Sequence, residues 1–130
     1  MNAEQSQLGE QARNGRRVLV VDDHASFRSC ARKLLESEGY DVVGEAADGS
    51  SAVALAAELE PEYVLLDIQL PDIDGFAVAE RMLAGDPRLQ ILLVSSRDRS
   101  CYGTLVEQSG AIGFVTKGDL SGVDLERLIG

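Results

Sequence analysis

The run Leu65-Leu-Asp-Ile-Gln-Leu-Pro-Asp-Ile-Asp-Gly75 decides the fold. It begins inside an unbroken apolar stretch, Tyr63 to Leu66, and a carboxylate, Asp67, stands at that stretch's end. Pro71 and Gly75 then punctuate a loop. From Gly75 to Ala84, Phe76, Val78, Ala79, Met82 and Leu83 recur at helical spacing. A short apolar run without polar alternation reads as a strand covered on both faces. The segment is therefore a strand–loop–helix unit of a buried parallel sheet, with an acid at the strand's carboxyl end.

The same unit recurs on either side. Apolar strands are predicted at Arg17–Val21, Asp41–Glu45, Gln90–Val94 and Gly113–Thr116. Amphipathic helices are predicted at Ser26–Glu38, Ser50–Glu60, Ser100–Gln108 and Leu120–Ile129. Gly39, Gly85 and Gly110 follow three of the helices, where left-handed caps are wanted. Five β-α units imply right-handed crossovers and helices on both sheet faces. The expected fold is α/β: a flavodoxin-like (βα)5 three-layer sandwich, its parallel five-stranded sheet in the order 2-1-3-4-5. Ligands of such sheets bind beyond the carboxyl ends of the strands, near the point where strand order reverses.

Length and composition agree with one domain. The chain has 130 residues, 45% hydrophobic and 26% charged, enough for one core. Residues 1–15 are polar and lack a periodic apolar face, so a flexible N-terminal tail is expected, with the folded domain spanning 16–130. The formal net charge of −10 argues against direct nucleic-acid binding, which needs clustered Lys and Arg, and favours a cation or a basic partner. Nothing resembles a signal peptide, and no apolar run would span a bilayer, so a cytoplasmic protein without membrane contact is expected. Cys30 and Cys101 have no metal-ligand spacing and are expected as buried or half-buried thiols inside helices.

Four strand ends deliver polar groups to one rim: Asp22 and Asp23, Asp67, Ser95 and Ser96, and Lys117. Three carboxylates held together repel one another unless a cation neutralises them. Mg²⁺ is the natural candidate, since it takes oxygen ligands from a few carboxylates and keeps waters that a phosphate can replace. An Asp carboxylate can attack phosphorus and form an aspartyl phosphate. Such a transfer asks mainly for positioning and charge neutralisation, which Mg²⁺, the Lys117 ammonium and the Ser95 hydroxyl would supply from different sides.

Three runs together, Val20-Val-Asp-Asp-His24, Leu65 to Gly75, and Gly113-Phe-Val-Thr-Lys117, resemble a response-regulator receiver domain of the two-component signalling type. The similarity covers about Arg17 to Ile129, with separations of 45, 28 and 22 residues between Asp22, Asp67, Ser95 and Lys117. His24 and Lys117-Gly-Asp-Leu120 are similar to receivers of nitrate-response regulators, which drive helix-turn-helix outputs. The resemblance implies that Asp67 is the phosphoacceptor and that Lys117 binds the phosphoryl group. It implies Asp22, Asp23, Asp67 and the Gln69 backbone carbonyl as Mg²⁺ ligands, with Mn²⁺ as a substitute. Ser95 would be the switch hydroxyl and Phe114 the switch aromatic, here without a phenol.

The implied partners are a histidine kinase or histidine phosphotransfer protein. A homodimer through the fourth helix, fifth strand and fifth helix, or through the first and fifth helices, is also implied. The implied protein is not an enzyme beyond its own phosphorylation and dephosphorylation. Many receivers have proline after the lysine; Gly118 stands there, which leaves open whether the Lys117–Gly118 bond is cis.

Blander readings stand beside these. Asp22 and Asp23 taken alone would cap the first helix, Phe114 would be a packing aromatic, and His24 a rim residue. Lys117 is expected to pair with Asp67 at rest. Strand alternation sends only one of Ser95 and Ser96 to the site, and position favours Ser95. Asp72 and Asp74 are expected to serve the turn before the third helix. Arg97 is expected to tune the lifetime of the phosphoryl group. The alternative function is a phosphorylation-independent pseudo-receiver acting as an interaction module. An aspartate-dependent phosphatase of the haloacid dehalogenase type would want a second acid where Gln69 stands, and an acidic loop after the first strand would repel a flavin phosphate.

Overall fold

A computed structural model of the protein describes residues 16–121 and Leu125. Five parallel strands, β1 (Arg17–Val21), β2 (Asp41–Ala46), β3 (Tyr63–Asp67), β4 (Gln90–Ser95) and β5 (Gly113–Thr116), form one sheet in the order β2-β1-β3-β4-β5. This is the flavodoxin-like order expected from the sequence. The helices are α1 (Ala25–Ser37), α2 (Gly49–Leu59), α3 (Gly75–Gly85) and α4 (Leu105–Gln108). The expected N-terminal tail lies outside the described residues.

Two cores, one on each face, explain why the central strands show no polar alternation. Leu19, Val21, Val64, Leu66, Ile91 and Leu93 bury themselves against Ala52 of α2 and Val78, Ala79 and Met82 of α3. Their alternate neighbours Val18, Val20, Leu65, Leu92 and Val94 pack against Ala31 and Leu35 of α1 and against Leu125. Burying each such side chain contributes about 1.5–3 kcal/mol, so a polar residue on either face of β1, β3 or β4 would be costly.

Four details depart from the sequence reading. The expected fourth helix is broken into a 3₁₀ turn, Arg99–Tyr102, and the single turn of α4. Gly103 stands between them at φ 57° and ψ −130°, outside helical space. The fifth helix does not begin at Leu120, because Lys117–Asp119 form a 3₁₀ turn and Leu120 is extended. Ser121 is not helical, Leu125 is helical and fully buried, and residues 122–124 and 126–129 of that expected helix lie outside the described residues. Gly39 and Gly110 do take positive φ, but Gly85 is the last residue of α3, and Glu60 (φ 50°) takes the left-handed cap of α2 instead. Cys30 and Cys101 are both exposed free thiols rather than buried ones, because their positions turn away from the core stripes of Ala31, Leu35 and Val106.

Candidate functional site

Four of the strands deliver a polar residue to the same edge. Asp22 follows β1, Asp67 ends β3, Ser95 ends β4 and Lys117 follows β5. Asp22, Asp67 and Ser95 are the buried polar residues among those described, at 0%, 1% and 0% exposure. Ser96 is exposed, so strand alternation selects Ser95 for the interior.

Asp22, Asp23, His24 and Asp67 each offer a ligating atom, and all four atoms lie within 4.8 Å of one another. The His24 N–H donates to Asp22 Oδ1 at 2.8 Å, and its Nδ1 lies 3.0 Å from Asp22 Oδ1 and 3.1 Å from Asp23 Oδ1. Asp22 thus does not cap α1. His24 holds the N-cap position of α1 without a side-chain bond, and the acid is turned inward. The Arg28 guanidinium donates to the Asp22 carbonyl at 2.8 Å and pairs with Glu45 at 3.1 Å, tying the acidic loop to β2.

Lys117 enters from the β5 side. Its Nζ lies 2.6 Å from Asp22 Oδ2 and 3.4 Å from Asp67 Oδ2, with the Phe27 ring centroid 4.7 Å away. The pairing expected with Asp67 is present, and the closer approach is to Asp22. Asp22 Oδ2 is fully buried, and the Lys117 ammonium is its ion-pair partner. Three carboxylates beside a single ammonium leave negative charge that a bound cation would neutralise. The cluster of carboxylates fits a hard divalent cation.

Burial foremost, and then the Asp22 carboxylate, push Asp67 up to about 6, against the Gln69 N–H and the Lys117 ammonium, which favour its charged form. The Gln69 N–H donates to Asp67 Oδ1 at 3.2 Å. Burial works against the Lys117 charge, but contact with Asp22 and the fields of both carboxylates outweigh it and raise its pKa.

The loop beyond Asp67 is held by contacts that spacing does not reveal. A Cβ at Gly75 would meet Ile68 Cα at 2.5 Å and the Asp67 carbonyl oxygen at 2.6 Å, so α3 starts directly against the backbone of the β3 end. Asp74 caps α3 through Ala77 N–H, as expected. Asp72 does something else: it accepts from the Gly49 and Ser50 N–H groups at 2.7 and 3.0 Å and so caps α2, across 23 and 22 residues. Those bonds hold its carboxyl down at about 2.

Ser95 does not join the acidic cluster through a hydrogen bond. Its Oγ accepts from the Arg97 N–H at 3.0 Å and shares a 2.5 Å hydrogen bond with Tyr102 Oη. Phe114 is partly buried and faces Tyr102, ring centroids 6.0 Å apart. Arg97 is exposed. The Lys117–Gly118 bond is trans, since no described peptide bond is cis. The sequence reading missed Tyr102, Phe27 and Arg28. Tyr102 and Phe27 are aromatics at positions that helical spacing also explains as packing.

The model of the response regulator receiver domain matches residues 18–127. The response regulator GacA of Pseudomonas aeruginosa is 38% identical over 103 residues, which are 78% of this chain and 48% of that protein. The chain thus spans about half the length of that relative. A two-component response regulator of the LuxR family from Aurantimonas sp. SI85-9A1 superposes with a TM-score of 0.79 at 33% identity, covering 87% of this chain and 81% of that one. The receiver domain of the histidine kinase CKI1 from Arabidopsis thaliana, solved in complex with Mg²⁺, superposes with a TM-score of 0.78 at 27% identity, covering 89% and 92%.

Proposed function

The chain belongs to the response regulator receiver domain family, and from that membership we propose that it takes a phosphoryl group onto Asp67 from a phosphohistidine. The donor is a histidine kinase or a histidine phosphotransfer protein. The observation that carries this reading is a nearly inaccessible carboxylate at the end of β3, within 4.8 Å of Asp22, Asp23 and His24 donor atoms and 3.4 Å from the Lys117 ammonium.

Asp22, Asp23, Asp67 and the Gln69 backbone carbonyl would hold Mg²⁺, with Mn²⁺ able to replace it. Three carboxylates gathered beside a single ammonium support that assignment. The CKI1 receiver, a structure with Mg²⁺, supports the choice of metal. When bound, the metal supplies charge neutralisation for the transferring phosphoryl oxygens.

The protein's own groups do the rest. With a pKa near 6, Asp67 is mostly anionic at pH 7 and keeps a lone pair for attack. One carboxylate oxygen bonds to phosphorus in line as the donor's P–N bond breaks, and the electron pair leaves with the imidazole. Lys117 lies close enough to follow the new charge from Asp22 towards the phosphoryl oxygens. The aspartyl phosphate carries a charge of about −1.5 to −2 in place of the carboxylate's −1, at a buried position. Ser95 then turns to donate to it, and Phe114 follows. That shift would alter the surface of α4 and β5, where Leu105 and Ile112 are exposed apolar side chains, 48% and 38% accessible. Such a surface suits a second copy, an output domain or another protein; the matched residues make up 48% of GacA. Residues 16–130 are the proposed receiver unit, acting in the cytoplasm and catalysing no reaction but its own.

Intact mass after incubation with acetyl phosphate tests this. One phosphoryl addition is expected that needs both Mg²⁺ and Asp67 and is missing in Asp67→Ala. A folded wild type that takes up no phosphoryl group would instead support the phosphorylation-independent interaction module.

A further inference from the structure

Ser95 is fully buried and its hydroxyl is already engaged. A serine hydroxyl has one proton and two lone pairs. The Arg97 N–H and the Tyr102 hydroxyl take two of these three. The phenol is itself held in place. Its ring lies 5.5 Å from Phe76 and 6.0 Å from Phe114, at interplanar angles of 68° and 57°. Tyr102 ends the 3₁₀ turn Arg99–Tyr102, and Gly103 follows at φ 57°, ψ −130°. A Cβ at Gly103 would meet nothing within 4 Å, so the backbone angle rather than crowding asks for glycine. That break takes the chain out of the helix that would otherwise run on and leaves Tyr102 pointing at Ser95.

We propose that Tyr102 is a positioning residue of the phosphoacceptor site: its hydroxyl holds Ser95 in the resting orientation, and the phosphoryl oxygen on Asp67 must compete with it. The inference rests on the reading of Asp67 as phosphoacceptor. Phe114 has no hydroxyl, so it cannot make this bond; the phenol that meets Ser95 comes from the neighbouring turn. When Ser95 Oγ turns to the phosphoryl oxygen, the Ser95–Tyr102 bond breaks. The half-exposed phenol, its ring beside Phe76 and Phe114, then loses that partner, which favours movement of the turn about Gly103. Phosphoryl uptake through a switched state that is sparsely populated at rest slows in proportion to that population. Tyr102 therefore sets the rate at which Asp67 is phosphorylated.

Tyr102→Phe keeps the ring and removes only the hydroxyl. The rate of phosphoryl addition from acetyl phosphate with Mg²⁺, followed by intact mass, is compared for wild type, Tyr102→Phe, Ser95→Ala and the double variant. A hydrogen bond of ordinary strength predicts phosphorylation about 2- to 10-fold faster in Tyr102→Phe than in the wild type. The substitution should change nothing in the Ser95→Ala background, because the partner is gone. An equal or slower rate in Tyr102→Phe, or the same acceleration without Ser95, overturns the proposal. A wild type that takes up no phosphoryl group brings down the Asp67 reading and this one with it. A phosphorylated wild type beside an indifferent Tyr102→Phe removes the role of Tyr102 alone.

Discussion

The Lys117 ammonium sits nearer to Asp22 than to Asp67, at 2.6 Å against 3.4 Å. At rest it compensates the more deeply buried acid and stands beside the one that would be phosphorylated. The lysine therefore offsets part of the site's negative charge, and its removal leaves two buried carboxylates without that cation.

Lys117→Met is expected to destabilise the protein without metal by about 2–4 kcal/mol, somewhat below the ~3–5 kcal/mol for breaking a fully buried pair from one side, because the lysine is partly exposed. Saturating Mg²⁺ should recover a large share of that loss. Chemical denaturation of both proteins with EDTA and with Mg²⁺ measures this; a Lys117→Met variant as stable as the wild type in EDTA would refute it.

Asp67 pulls the other way. Its folded pKa, raised from 3.8 to about 6, means that its contribution to stability is fully present below pH 4 and is lost as pH rises through 6. Asp67→Asn should therefore stabilise the metal-free protein at pH 8, by about 1–3 kcal/mol, and change it little at pH 4. Mg²⁺ should raise the melting temperature of the wild type and leave that of Asp67→Asn nearly unmoved. A melting series across pH, with EDTA and with Mg²⁺, gives both readings.

Asp72 has the opposite sign. Its pKa, held at about 2 by the Gly49 and Ser50 N–H groups, gives stability that is present above pH 4 and lost as pH falls towards 2. Asp72→Ala should lower the melting temperature at pH 7 and flatten the acid limb between pH 4 and 2. An acid limb identical to that of the wild type would show that the α2 cap contributes nothing there.

Gly75→Ala puts a methyl group where the backbone of Asp67 and Ile68 already lies, 2.5–2.6 Å away. Backbone cannot swing aside as a side chain can, so a loss of about 1–3 kcal/mol is expected. The displaced strand end should also slow phosphoryl uptake at Asp67. Denaturation and the acetyl phosphate assay together check this, and a variant matching the wild type in both would contradict the close contact.

The sequence alone determined the five strands, their order and the acids at the strand ends. Apolar periodicity records whether one face or two are buried, and the runs at Val18–Val21, Val64–Leu66 and Ile91–Val94 left little choice. Which strand ends meet follows from topology, so Asp22, Asp67, Ser95 and Lys117 could be named together as one rim. The tertiary structure decided which atoms touch. It put Lys117 against Asp22, Asp72 on the first turn of α2, and Tyr102 on Ser95. These partners are 95, 23 and 7 residues apart and share no period. A hydrogen bond needs its atoms placed within a few tenths of an ångström. That placement depends on strand register, on where Gly103 breaks a helix, and on how closely Gly75 approaches β3, and none of these is a local property of the chain.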